Sequence, residues 1–157
     1  MKKFVFKLET LLAIKAAREK EIQNELAALV SIQNAERMRQ DEYRAKIARE
    51  QESFNAKLRS GRFAYADAMM YERFVEFAGK VIVAAQGKIE AMEPEIQKVR
   101  DRLVQASTER RVIEKLKERQ WKAHRYQVEV ELAKENDDAN QKVHLRRKIE
   151  MEREIRS

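Results

Sequence analysis

The sequence predicts an all-α protein, a long two-helix antiparallel coiled-coil hairpin with an extended C-terminal helix or tail. Three observations carry that prediction. Charged residues fill 39% of the 157 positions, against only 3 Gly and 1 Pro, a composition of long helices rather than of a compact globule. Apolar residues recur at alternating steps of three and four over two long stretches, which is the period of an amphipathic helix. One short break, Arg59-Ser60-Gly61-Arg62, separates the stretches and carries a helix stop and a turn signal.

The first element opens MKKFVFKLETLLAIKAAREKE, two lysines before an apolar run, as a secretory signal would. Lys7, Glu9 and Lys15 interrupt that run, and no small-residue cleavage site follows it. Leu8, Leu12, Lys15, Glu19, Ile22, Leu26 and Leu29 instead fall on one helical seam, so the stretch reads as a retained part of helix 1, about 4–58. The seam thins at Gln33, Glu36 and Gln40 and resumes at Tyr43, Ile47 and Phe54. A turn over about 59–63 leads into helix 2, from about 64. Its seam runs Phe74, Phe77, Val81, Ala85, Ile89, Met92, Ile96, Val99, Leu103, Ala106, Arg110 and Ile113. Consecutive steps of four through Val81, Ala85 and Ile89 predict a stutter, a local unwinding of the supercoil. Pro94 lies inside the run but keeps its phase, predicting a bend rather than a break.

A turn centred near Gly61 fixes the register. Ile22 then faces Val99, Leu26 faces Ile96, Leu8 meets the neighbourhood of Ile113 and Leu116, and Tyr43 falls opposite Gly79, which leaves it room. At ~1.5 Å per residue the paired region would be about 75 Å long. This places the hairpin at 1–121 and leaves 122–157 as an unpaired helical extension or disordered tail. Val128, Leu132 and Ile149 keep a faint helical period there, interrupted by Asn136-Asp137-Asp138.

The chain offers little for catalysis. It has no cysteine and only two histidines, His124 and His144, twenty residues apart. Metalloprotease, phosphate-loop and dinucleotide motifs are absent, and the carboxylates interleave with Lys and Arg as on a solvated helix face. No catalytic, cofactor-binding or metal-ligating residue is expected, nor any small-molecule substrate, and no segment approaches the ~18 apolar residues of a membrane span.

Binding surfaces are better marked. The net charge is +7, and residues 110–125 hold seven Lys/Arg against two Glu, which favours anionic partners. Six of the eleven aromatics, Phe54, Phe63, Tyr65, Tyr71, Phe74 and Phe77, lie between 54 and 77 beside Met69 and Met70. They form either a packed hairpin tip or an exposed docking patch. Trp121, Lys122, Arg125 and Tyr126 combine aromatic and basic character, but two aromatics make a poor platform for stacking bases. An acidic protein surface is the expected partner there, not nucleic acid.

The opening resembles that of FliJ proteins, small coiled-coil components of the bacterial flagellar export apparatus. Its aromatic-x-aromatic-x-Leu-Glu-x-Leu-Leu pattern is carried here by Phe4, Phe6, Leu8, Glu9, Leu11 and Leu12. Weaker similarity continues at Glu42-Tyr43-Arg44, at Tyr71 and Phe74, and along the basic stretch Glu114–Gln120. The middle of helix 1, with Glu36 and Arg39, departs from the family's apolar face. The resemblance implies a non-enzymatic, stalk-like protein of flagellar type III export, and with it flagellum biogenesis, motility and chemotaxis. Its paired ends would enter the hexameric export ATPase ring, with its regulator, through Phe4, Phe6, Leu8, Leu11, Leu12, Leu116, Arg119 and Trp121. Tyr43 and Phe74 would face the cytoplasmic domain of the membrane export gate. Export chaperones are further implied partners, and the implied location is cytoplasmic, peripheral at the inner membrane. From the residues alone, a dimeric coiled-coil scaffold and a nucleic-acid-binding rod stay open as alternatives.

Overall fold

The computed structural model describes residues 3–156 and contains two helices, α1 (Glu9–Arg59) and α2 (Tyr65–Arg156). No strand occurs among the described residues. The connection between the helices is built from local hydrogen bonds. Ser60 N–H donates to the Ala56 carbonyl (3.0 Å) and Gly61 N–H to that of Leu58 (3.4 Å). Gly61 has φ 71°, the left-handed conformation that ends a helix and that a Cβ disfavours. At the start of α2, Asp67 Oδ2 accepts from the Ala64 N–H (3.0 Å), the third-residue half of a capping box. Its other oxygen meets Lys57 Nζ at 2.8 Å, tying the end of α1 to the start of α2.

The chain divides into two compact units. The turn unit comprises Ala16–Ser107; the terminal unit comprises residues up to Lys15 together with those from Thr108 onward.

In the turn unit the helices run antiparallel, as the ion pairs Arg102–Glu25 (3.0 Å) and Lys88–Glu36 (3.3 Å) require. On α1 the buried and half-buried positions include Glu19, Ile22, Leu26, Leu29, Gln33, Glu36, Gln40, Tyr43, Ile47 and Phe54, with Val30 and Lys46 half-buried beside that line. On α2 they include Ala78, Ile82, Ala85, Ile89, Met92, Ile96, Val99, Leu103 and Ala106. Both sets keep the three-four alternation of a heptad. Of the positions that carry the predicted stutter, Val81 is half-buried beside Ile82, and Ala85 and Ile89 are buried, but Phe77 is not on the seam. Phe77 is 56% exposed, and Ala78 occupies the seam in its place. Ile22 packs with Val99, where the register placed it, and Ala106, Leu26, Leu29 and Leu103 complete that cluster. Each aliphatic side chain buried there contributes about 1.5–3 kcal/mol. α2 continues through Pro94, and the buried phase of Ile89, Met92, Ile96 and Val99 runs across it. A Cβ added at Gly79 would meet nothing within 4 Å. That glycine therefore makes no room for Tyr43, whose ring packs edge-on against Phe77 at 6.1 Å.

The terminal unit departs more from expectation. α1 begins at Glu9, not near residue 4. Residues 3–8 form a non-helical strap whose Phe4 ring lies 5.6 Å from that of His124, while Lys117 Nζ lies 5.9 Å from the centre of the Phe6 ring. Two strap residues thus cover seven residues of α2. Non-helical chain at ~3.3 Å per residue accounts for about four of those seven at ~1.5 Å each, and the reach of the aromatic and lysine side chains supplies the rest. The expectation that pairing ends at Trp121 consequently falls short. Lys3, Phe4 and Val5 share a groove with Gln120, His124, Gln127, Val128 and Glu131. Asn136-Asp137-Asp138 does not interrupt α2, since the penalty of Asn and Asp is a few tenths of a kcal/mol each and strong helix formers flank them.

Candidate functional site: the strap and the aromatic turn

The strap alternates. Phe4 and Phe6 turn toward α2 while Lys3, Val5 and Lys7 are exposed, a period of two that fits extended chain. Phe6 is 6% exposed and anchors the strap rather than presenting an adhesive surface. Salt bridges from Lys117 to Glu9 (2.7 Å) and from Lys15 to Glu109 (2.6 Å) fasten the first turns of α1 to α2. Each such partly exposed pair contributes only about 0.2–1 kcal/mol, so the aromatic anchors dominate.

The other predicted ring-contact residues divide by exposure. Leu12 is half-buried and lines a shallow groove with Phe4, Glu114, Lys117, Glu118 and Trp121. Leu8, Leu11, Leu116, Arg119 and Trp121 are exposed. The Arg125 guanidinium lies 5.7 Å from the Trp121 ring, a cation–π contact that holds a positive charge beside the indole. Glu118 hydrogen-bonds Lys122, whose ammonium lowers the carboxyl's pKa below its usual value, with a smaller contribution from Lys115. The basic surplus of this stretch is thus carried at the surface, beside apolar side chains.

In the turn unit, Tyr43 is half-buried and flanked by Phe77 and by Lys46 Nζ, 4.6 Å from its ring centre. Phe74 lies elsewhere, in a cleft with Glu50, Ser53, Phe54, Lys57, Asp67, Met70 and Tyr71. No ring contact joins the two proposed gate residues. Phe54 stacks on Tyr71 (4.9 Å) and meets Phe63 edge-on (5.4 Å), so the tip is packed. Tyr65, Met70 and Phe77 remain well exposed around it.

Sequence reasoning missed His124 and Lys117 as the strap's partners. The signal was present in Phe4-x-Phe6, whose two-residue alternation is that of extended chain and was absorbed into a helical pattern. It also took Gln33 and Gln40 for a thinning of the seam. Gln33 is 2% exposed and Gln40 5%.

Among the described residues no group of three or more His, Asp or Glu could hold a metal ion, and no helix is long and apolar enough to cross a membrane. What the described residues share is two long helices that pair through their side chains, the fold class of a coiled-coil protein. The chain belongs to the FliJ family, matching the description "Flagellar FliJ protein" over residues 3–148. It is thus a component of the flagellar export apparatus, in a family of non-catalytic components. No curated protein and no solved structure matches the chain closely enough for comparison.

Proposed function

We propose that this protein is the central stalk of the hexameric export ATPase ring, that it promotes the ring's assembly or activity, and that it links the ring to the membrane export gate and to export chaperones. Family membership supports an export role. The observation that carries the stalk reading is the terminal unit, where exposed Leu8, Leu11, Leu116 and Trp121 lie among surplus basic residues. Such a surface suits many weak contacts inside an acidic ring lumen, and the attachment weakens with salt. The gate contact is assigned to Tyr43 and Phe74 at the other unit, and the protein acts in the cytoplasm, at the inner membrane through its partners.

The geometry selects the variants that test this. Leu8→Asp with Leu11→Asp alters exposed positions and leaves Phe6 and Leu12 in place. Stimulation of the partner ATPase should fall at least tenfold while the circular dichroism of the protein is unchanged. Full stimulation by the folded double variant would refute the assignment of this end to the ring. Recovery of the wild-type chain as a free-standing dimer without an ATPase would favour a scaffold instead.

A further inference from the structure

The two glutamines in the seam of α1 are not packing defects. Gln33 Nε2 donates to the main-chain carbonyl of Ile89 (3.3 Å) and to Glu93 Oε2 (2.9 Å). Gln40 Nε2 donates to the main-chain carbonyl of Ile82 (3.1 Å) and to Gln86 Oε1 (3.0 Å). The donors are one heptad apart, and so are the two carbonyls and the two side-chain acceptors, so one arrangement occurs twice. Each layer also ends on charge at the surface: Arg100 reaches Glu93 (3.4 Å) and Gln86 donates to Glu90 (2.9 Å).

A side-chain amide reaches a helix carbonyl on the partner only where small side chains let the backbones approach. α2 supplies that at Ala78 and Ala85, both buried and again one heptad apart. α1 has no alanine on its own buried seam between Glu19 and Phe54. Pairing α1 with a second α1 would therefore bury both amides against large side chains. A half-heptad slip along α2 would do the same. Each amide left unsatisfied costs about 1–3 kcal/mol, and a polar residue at a seam position is a known means of fixing register and oligomeric state.

We infer that Gln33 and Gln40 form a two-layer pairing lock, which makes α1 accept its own α2 in one register and keeps the chain a single hairpin rather than an assembly of copies. The lock acts on choice of partner, not on strength of folding. Aliphatic replacements at both positions keep the helices and remove the discrimination.

The test compares the parent chain with Gln33→Leu/Gln40→Leu and with Gln33→Met/Gln40→Met, which keeps side-chain length. Light scattering across a hundredfold range of concentration reads the mass. The chain has no cysteine of its own, so spin labels at Asn24→Cys and Lys98→Cys, both exposed, read the register. The parent should be monomeric with one narrow distance. Both double variants should remain helical and form dimers or larger species at micromolar concentration, or show a broadened or second distance. Monomeric double variants with the parent's single distance would overturn the inference, as would a parent that is itself dimeric. A variant that loses its helices would overturn it too, because the glutamines would then be holding the fold itself. Neither readout involves the export ATPase, and apart from a dimeric parent, which would count against both, every outcome leaves the stalk assignment untouched.

Discussion

The Ile22–Val99 layer and the Gln33 and Gln40 layers lie on one seam of the turn unit, eleven residues apart on α1 at the nearest, with opposite chemistry. The first is filled by aliphatic side chains from both helices. The second pairs the amides with the main-chain carbonyls of Ile89 and Ile82. Aliphatic packing is strong and undiscriminating, since any seam of similar volume can share it. The amide layers contribute less but depend on direction and distance. One stretch of hairpin thus supplies cohesion and the other selects the partner.

The largest effect is expected where cohesion is greatest. Ile96 is 0% exposed, and Ile96→Ala should cost about 2–5 kcal/mol in a urea unfolding curve followed by circular dichroism. A loss below 1 kcal/mol would mean that the apolar layers are not the source of stability. A smaller effect, of opposite sign, is expected beside the glutamines. Glu36 meets Lys88 through one oxygen, while its other oxygen is buried with no hydrogen-bond partner among the described residues. Glu36→Met removes that unpaired acceptor at the cost of a pair whose Lys88 end is exposed and should stabilise by about 1 kcal/mol in the same assay. Destabilisation would show that Glu36 belongs to the polar layers rather than lying idle between them.

The smallest effect separates both layers from the turn. Asp67 is held below the ordinary aspartate value of 3.8, first by the hydrogen bond from Lys57 and then by that from the Ala64 N–H. A depressed folded pKa contributes stability that is complete above the unfolded value and lost as the pH falls through the folded one. Amide exchange at Ala64, measured by NMR, should therefore accelerate below about pH 4 relative to a model-peptide reference. Asp67→Asn should flatten that acid limb without altering the 24–98 spin-label distance. A change in that distance would couple the turn to the register.

The hairpin was legible in the sequence because periodicity and the Ser60-Gly61 break are local signals. Register followed from the break alone, and Ile22 found Val99. What escaped was chemistry that needs two helices at once. Gln33 and Gln40 look like solvated residues until Ala78 and Ala85 bring a backbone close enough to accept from them. Large Phe77 likewise disguised a seam that runs through small Ala78. The strap was missed for a different reason, since Phe4 and Phe6 were read on a helical period that begins only at Glu9. Of the proposed contact residues, the sequence grouped Phe6 and Leu12 with the exposed leucines, although burial gives them a structural task.

The strap has a geared relation to α2. Extended chain advances ~3.3 Å per residue and helix ~1.5 Å, so one residue of strap travels past about two residues of α2. Because the strap alternates, inserting or deleting a single residue in it would exchange its inward and outward positions, aiming Val5 or Lys7 at α2 where the phenyl rings now lie. Odd length changes at this end thus act as a parity switch, and only even ones keep aromatic rings against α2.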